Sequence, residues 1–221
     1  MDQFIIKAAV NMKLLLCIFI TPFPWFIKRL VLNNLLGFSL EKSAYIGLSI
    51  INTRFLRMAG NSRIGHLNII RSMRSINLDH SATIGNLNWI SGEASSRIFD
   101  GDDKKSSLKI GEHGAITNRH YLDCSGGFDL GKYSIFAGVR STLLSHSIDI
   151  SDSVQKLKDI KIGNYCFISS NCVFIGGSNI PDFSIVGAGS VVRNSYTESY
   201  YLYSGNPAVP IKNVSVDSKY F

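Results

Sequence analysis

From Ile162 onward the chain beats in sixes: IGNYCF, ISSNCV, FIGGSN, IPDFSI, VGAGSV, VRNSYT. The first position is bulky and apolar every time (Ile162, Ile168, Phe174, Ile180, Val186, Val192). The fifth (Cys166, Cys172, Ser178, Ser184, Ser190, Tyr196) is small in five of the six. A period of six matches neither the two-residue alternation of a flat strand nor the 3.6-residue turn of a helix. It fits an all-β solenoid in which three short parallel strands and three corners make one coil. The bulky residue fills the inside and the small one fits the corner beside it. Coils then stack through backbone hydrogen bonds at about 4.8 Å. Gly163, Gly176, Gly187 and Gly189 suit corners that need unusual backbone angles or leave no room for a side chain.

The beat extends upstream through Ile110, Ile116, Leu122 and Phe128, then slips by two to Leu130 and Phe136. Leu78, Ile84 and Ile90 form another run, and Ile64, Ile70 and Ile76 a fainter one. Two stretches interrupt it, SSRIFDGDDKKSS at 95–107 and DISDSVQKLKD at 149–159, and both read as loops thrown out from the solenoid. Before Leu40 the beat is absent. Residues 4–20 read as a helix, and a second short helix runs from Pro24 in its first turn to Gly37 at its C-terminal stop. The expected organisation is an N-terminal helical segment over 1–39, a solenoid over 40–197 and a C-terminal tail over 198–221 that packs along the solenoid's side or end.

Hydrophobic residues make up 45% and charged residues 18%, which excludes wholesale disorder and a polytopic membrane protein. The net charge of +7 is unevenly spread. Residues 1–78 hold ten Lys or Arg against Asp2 and Glu41, so they carry +8, and the remainder carries −1. Leu14 to Ile27 is uncharged, but it is shorter than the roughly 20 apolar residues a spanning helix needs, and Pro22 and Pro24 interrupt it. No cleavage site of the signal-peptide kind follows it. Cys17, Cys124, Cys166 and Cys172 form no C-x-x-C pair, and the chain is cysteine-poor for a disulfide scaffold. The expected location is cytoplasmic, with reduced thiols.

The late segments Val186-Gly-Ala-Gly-Ser-Val-Val192 and Gly205-Asn-Pro-Ala208 resemble signatures of the left-handed β-helix (hexapeptide-repeat) acyltransferase family. AGVRSTLLSHSID (Ala137 to Asp149) resembles its branch that O-acetylates sugars and polysaccharide precursors, and KRLVLNNLLGFSL resembles the helix that precedes the first coil there. The resemblance spans Lys28 to about Lys212. It implies a left-handed parallel β-helix, a homotrimer with active sites between subunits, acetyl-CoA as acyl donor and a saccharide or lipid-linked saccharide acceptor in surface polysaccharide biosynthesis.

Acetyl transfer to a hydroxyl needs a base, donors for the oxyanion and a groove for the long donor. Of the five histidines, His146 lies in SHSID beside the second interruption, and the resemblance makes it the base; the alternative is a histidine bonded at a corner. Asp149 is either its orienter or a plain loop acid. His120 competes, because it takes the fifth position of the Ile116 hexad, where a small residue is usual. For the cofactor the resemblance points to Ser169, Gly187, Ala188, Ser190, Arg193, Gly205, Pro207 and Ala208, with Arg193 placed to meet a phosphate. No histidine pair has zinc-ligand spacing, so no metal is expected. Cys166 and Cys172 read as corner packing. Three readings of the basic N-terminal third stay open: solvated solenoid faces, nucleic acid, and peripheral contact of residues 1–37 with the anionic inner membrane face through Lys7, Lys13, Lys28, Arg29, Trp25 and Phe26. No motif supports nucleic acid. Two rivals stand beside O-acetyl transfer: an N-acetyltransferase of an amino sugar or amino acid on the same fold, and a non-catalytic solenoid that binds or scaffolds.

Overall fold

A computed structural model describes residues 12, 14–93, 105–151, 153–218 and 220. Short parallel strands stack in register on three faces. One face runs through Tyr45–Ile46, Arg63–Ile64, Thr83–Ile84, Ala115–Ile116, Ile135–Phe136, Phe167–Ile168 and Ile185–Val186. A second runs through Trp89–Ser91, Tyr121–Asp123, Thr142–Leu144, Val173–Ile175 and Val191–Val192. The third runs through Ser107–Ile110, Phe128–Leu130, Ile160–Ile162 and Asn179–Ile180. In the early coils Ile50–Met58 and Ile69–Leu78 pass through a corner without breaking, which joins the second and third faces into one 12-stranded sheet. The result is a left-handed parallel β-helix.

The hexad beat is the core. Ile64, Ile70, Ile76, Ile84, Ile90, Ile110, Ile116, Leu122, Phe128, Phe136, Ile168, Phe174, Ile180, Val186 and Val192 are all buried with no exposed surface. Phe136 packs against Phe128 and Phe174, with ring centroids 5.8 and 5.6 Å away. Strands of the first two faces turn one apolar residue inward, whereas several of the third turn two, as Leu108 with Ile110 and Phe128 with Leu130 do.

The corners depart from the expectation in part. Most left-handed backbone positions are taken by residues other than glycine, among them Asn61, His113, Tyr133, Tyr165, Phe183 and Tyr200, and none of these is β-branched. Of the four glycines singled out, Gly189 has a positive φ of 71°, whereas Gly163 and Gly187 serve close approach. A Cβ on Gly163 would lie 2.3 Å from Asp182 Oδ1, and one on Gly187 2.6 Å from Ser204 Oγ.

At the N-terminal end, residues 14–20 are helical and a second helix spans Trp25–Leu36. It begins after Pro24 and stops at Gly37, whose φ of 64° lets its N–H reach back to Leu32 O. Leu32 packs into the core, and Lys28, only 4% exposed, donates from Nζ to the carbonyls of Ile46 at 2.9 Å and Gly47 at 2.8 Å. Burial lowers its pKa. Lys28 thus caps open backbone of the first coil, and it leaves the set of membrane-facing charges expected from sequence. Lys7 and Lys13, and most of the 95–107 interruption, lie outside the described residues. The chain past Thr197 continues the stack: Tyr201–Gly205 adds a parallel rung on Ile185–Val186, and Ala208–Asn213 returns antiparallel to it.

Gly131→Ala should destabilise the fold by about 2 kcal/mol or more, because the new Cβ would lie 2.3 Å from the Gly163 carbonyl oxygen of the next coil. Gly189→Ala, with nothing within 4 Å, should cost only its positive φ, on the order of 1 kcal/mol. Denaturant melts of the two variants check the ranking.

Candidate active site

The second interruption leaves the solenoid between Thr142–Leu144 on the second face and Ile160–Ile162 on the third, and it forms an antiparallel hairpin of His146–Asp149 with Val154–Leu157. Its roots close on one another, since Lys158 N–H donates to Ser145 O at 2.9 Å. The corner of the preceding coil accommodates them through Gly126, where a Cβ would lie 2.4 Å from Lys158 O and 2.6 Å from Ser145 O. Ser145, fully buried, accepts from Gly126 N–H at 2.7 Å and donates to Asp123 O at 2.7 Å. Coil and hairpin are therefore tied together beside His146.

His146 opens this hairpin. Its Nδ1 bonds Asp123 Oδ2, and the two side chains are 44% and 5% exposed. The other oxygen of Asp123 accepts from Ser125 N–H at 3.0 Å and from the Ser125 hydroxyl. Asp123 is thus a buried carboxylate with both oxygens engaged. With Nδ1–H donated to it, a neutral His146 presents an unprotonated Nε2. Asp123 stands one coil before His146, opposite Leu144 in the ladder. Sequence inspection missed it, because the two residues are 23 apart and only the coil register brings them together. The available signal was an acid beside the inward Leu122. Asp149 takes the plain loop role: it pairs with Lys156 across the hairpin and accepts from Ser151 N–H at 3.0 Å.

His120 lies elsewhere, 2% exposed, inside the corner between the first and second faces. It is one rung of a polar ladder in which each side chain accepts from the backbone N–H of the next coil. Ser49 Oγ takes Asn68 N–H at 3.0 Å, Asn68 Oδ1 takes Asn88 N–H at 2.9 Å, and Asn88 Oδ1 takes His120 N–H at 2.9 Å. His120 Nδ1 takes Ser141 N–H at 3.2 Å, and Ser141 Oγ takes Cys172 N–H at 3.1 Å. Because Nδ1 accepts, the neutral ring carries its proton on Nε2 and donates it to Thr117 Oγ1 at 3.0 Å. The bulky residue at a small position is explained by this ladder. Burial pushes its pKa down to about 4.

The cofactor candidates gather near the last coils. Ala188, Arg193, Gly205 and Pro207 are exposed, while Ser169 and Gly187 are half-buried. Ser190 and Ala208 are buried: Ser190 Oγ donates to Gly187 O at 2.5 Å, and Ala208 O accepts from Tyr196. All four cysteines are buried, and burial raises the pKa of Cys166 to about 12. Among the described residues no group of three His, Cys, Asp or Glu could hold a metal ion, and no helix is long and apolar enough to cross a membrane.

A neutral buried His120 has a pH signature. The unfolded chain binds its proton near pH 6.5 and the folded chain only near 4, so its contribution to stability is present above 6.5 and is lost as pH falls toward 4. The loss is on the order of 3 kcal/mol. Denaturant melts at pH 7 and 4.5 should show a larger drop for the wild type than for His120→Gln.

No protein-family model and no curated protein matches the sequence. Solved structures do. The polysialic acid O-acetyltransferase OatWY superposes with a TM-score of 0.59 at 16% identity, covering 83% of this chain and 90% of its own. A hexapeptide-repeat acetyltransferase from Vibrio cholerae O1 biovar eltor, complexed with acetyl coenzyme A, superposes with a TM-score of 0.51 at 19% identity over 63% of this chain and 71% of its own. At these identities the likeness is one of fold, and this chain has the left-handed β-helix fold of the hexapeptide-repeat acetyltransferases.

Proposed function

We propose that the protein transfers an acetyl group from acetyl-CoA to a saccharide hydroxyl, with His146 as general base and Asp123 as the residue that positions it. The observation that carries this reading is the pair itself: a half-exposed imidazole whose Nδ1 is held on a buried carboxylate. Nε2 takes the hydroxyl proton as the oxygen attacks the thioester carbonyl, and the tetrahedral intermediate expels the thiolate, which takes the proton from the imidazolium. Asp123 fixes the tautomer and stabilises the imidazolium while it lasts. His120, neutral and bonded at both nitrogens, serves the coil's geometry and through it Ser141. The exposed residues Ala188, Arg193, Gly205 and Pro207 supply small side chains, open backbone and one cation for the donor.

His146→Ala should lower thiol release from acetyl-CoA by about 10²–10⁴-fold in a folded protein, and Asp123→Asn should lower it less. A panel of sugars and amino sugars identifies the acceptor. Turnover with amines alone would make the protein an N-acyltransferase, and unchanged turnover in His146→Ala would remove the mechanism.

The same reading places the acceptor on a membrane lipid, the enzyme in a trimer and the N-terminal end on an anionic bilayer. For the trimer, the hairpin tip supplies support: Ile148, Ile150 and Val154 are exposed and suit a groove on a neighbouring copy. For the bilayer, Phe19, Phe26, Leu30 and Leu35 are exposed on the two helices, and no acid occurs between Asp2 and Glu41. Beside them an open hollow is lined by Trp25, Tyr45, Lys42 and Arg63. Two copies of so basic a surface repel, whereas anionic headgroups are attracted. Deleting residues 1–37 would remove Lys28 and Leu32 from the core, so the sharper test is a Phe26→Ser, Leu30→Ser double variant. It should lose flotation with anionic liposomes while keeping its activity on a water-soluble acceptor.

A further inference from the structure

Two aromatic columns run along the solenoid, and they differ in what they leave open. His113, Tyr133, Tyr165, Phe183 and Tyr200 stack at 4.8–5.1 Å with planes within 19° of one another, so within this column Tyr133, Tyr165 and Phe183 each have a ring on both faces. On the second face Trp89 and Tyr121 stack at 6.5 Å with planes 12° apart, and they are 36% and 48% exposed. The Arg71 guanidinium lies 5.9 Å from the centre of the Trp89 ring. The next rung under Tyr121 is Thr142, too short to cover an aromatic ring. The stack therefore ends with a ring face turned toward the coil that carries His146.

Position ties this pair to the chemistry. Tyr121 and Asp123 share one strand, with the buried Leu122 between them, so both side chains leave on the outer face about 7 Å apart. Ser91 stands opposite Asp123 as Trp89 stands opposite Tyr121. We infer that Trp89 and Tyr121 form the platform on which the acceptor saccharide stacks, two residues along the strand from the Asp123 of the His146–Asp123 pair, an inference that rests on the acetyl-transfer reading above. A pyranose ring presents C–H bonds to an aromatic face and hydroxyls sideways, and the polar residues at the neighbouring ladder positions are Ser91, Thr142 and Arg71. The Arg71 charge at the far end suits an acidic group on the next sugar unit.

The test has two independent arms. Tyr121→Ala should raise the acceptor KM about tenfold and leave the acetyl-CoA KM within twofold, whereas Tyr121→Phe should behave as wild type because the ring and not the hydroxyl is used. An unchanged acceptor KM, an equal rise for acetyl-CoA, or dissociation of the oligomer in Tyr121→Ala would overturn the platform. The second arm needs no turnover. The chain has two tryptophans, so Trp25→Phe leaves Trp89 as the sole one. Its fluorescence, titrated with hexoses, N-acetylhexosamines and oligomers of sialic acid, should shift saturably with at least one of them, and the shift should vanish with Tyr121→Ala. If Trp25→Phe fails to fold, the difference between wild type and Trp89→Phe reads the same signal. A shift without acetyl transfer would sink the enzymatic reading and keep the saccharide platform; transfer without a shift would do the reverse.

Discussion

The parallel register between coils is the constraint on which everything else here depends. Each strand bonds the same strand one coil away, and Ile162 stands against Ile180 as Phe136 stands against Ile168. Slipping any coil by one residue would turn its buried isoleucine outward and its charged neighbour inward. The register is held twice: by apolar side chains stacked along the interior and by corner side chains that accept from the next coil's backbone. The ladder from Ser49 through Asn68, Asn88, His120 and Ser141 to Cys172 satisfies buried N–H groups that would otherwise cost about 1–3 kcal/mol each.

That rigidity reaches the root of the hairpin. The hairpin beginning at His146 is exposed along most of its length, yet His146 stands at its root, where Ser145 is bonded to both the Asp123 carbonyl and the Gly126 amide. An imidazole bonded through Nδ1 keeps one tautomer and one orientation. Here the buried Asp123, fixed in turn by Ser125, supplies that hold. Side chains on the outer face of the same strand, Tyr121 among them, inherit the same precision.

The two histidines singled out from sequence illustrate how similar signals part in three dimensions. Both break a local rule: His120 occupies a small corner position and His146 adjoins an interruption. The coil encloses His120 and bonds both its nitrogens, so its oddity is architectural. His146 keeps one nitrogen bound and its ring half-exposed. Burial and partners separate them, and neither can be read from spacing within a hexad.

The solenoid was legible in the residues alone. A six-residue beat of bulky residues fits neither a flat strand nor a helix, and it named a large part of the core, the interruption at 149–159 and the helix from Pro24 to Gly37. It also singled out His146, which the tertiary structure pairs with Asp123. What it left undecided were pairings between residues one coil apart: Asp123 with His146, Lys28 with the Ile46 and Gly47 carbonyls, Trp89 with Tyr121. Coils vary in length because of their interruptions, so neighbours across the stack have no fixed separation in the chain. Only the tertiary register, set by the summed burial of all the inward residues, decides which side chains meet.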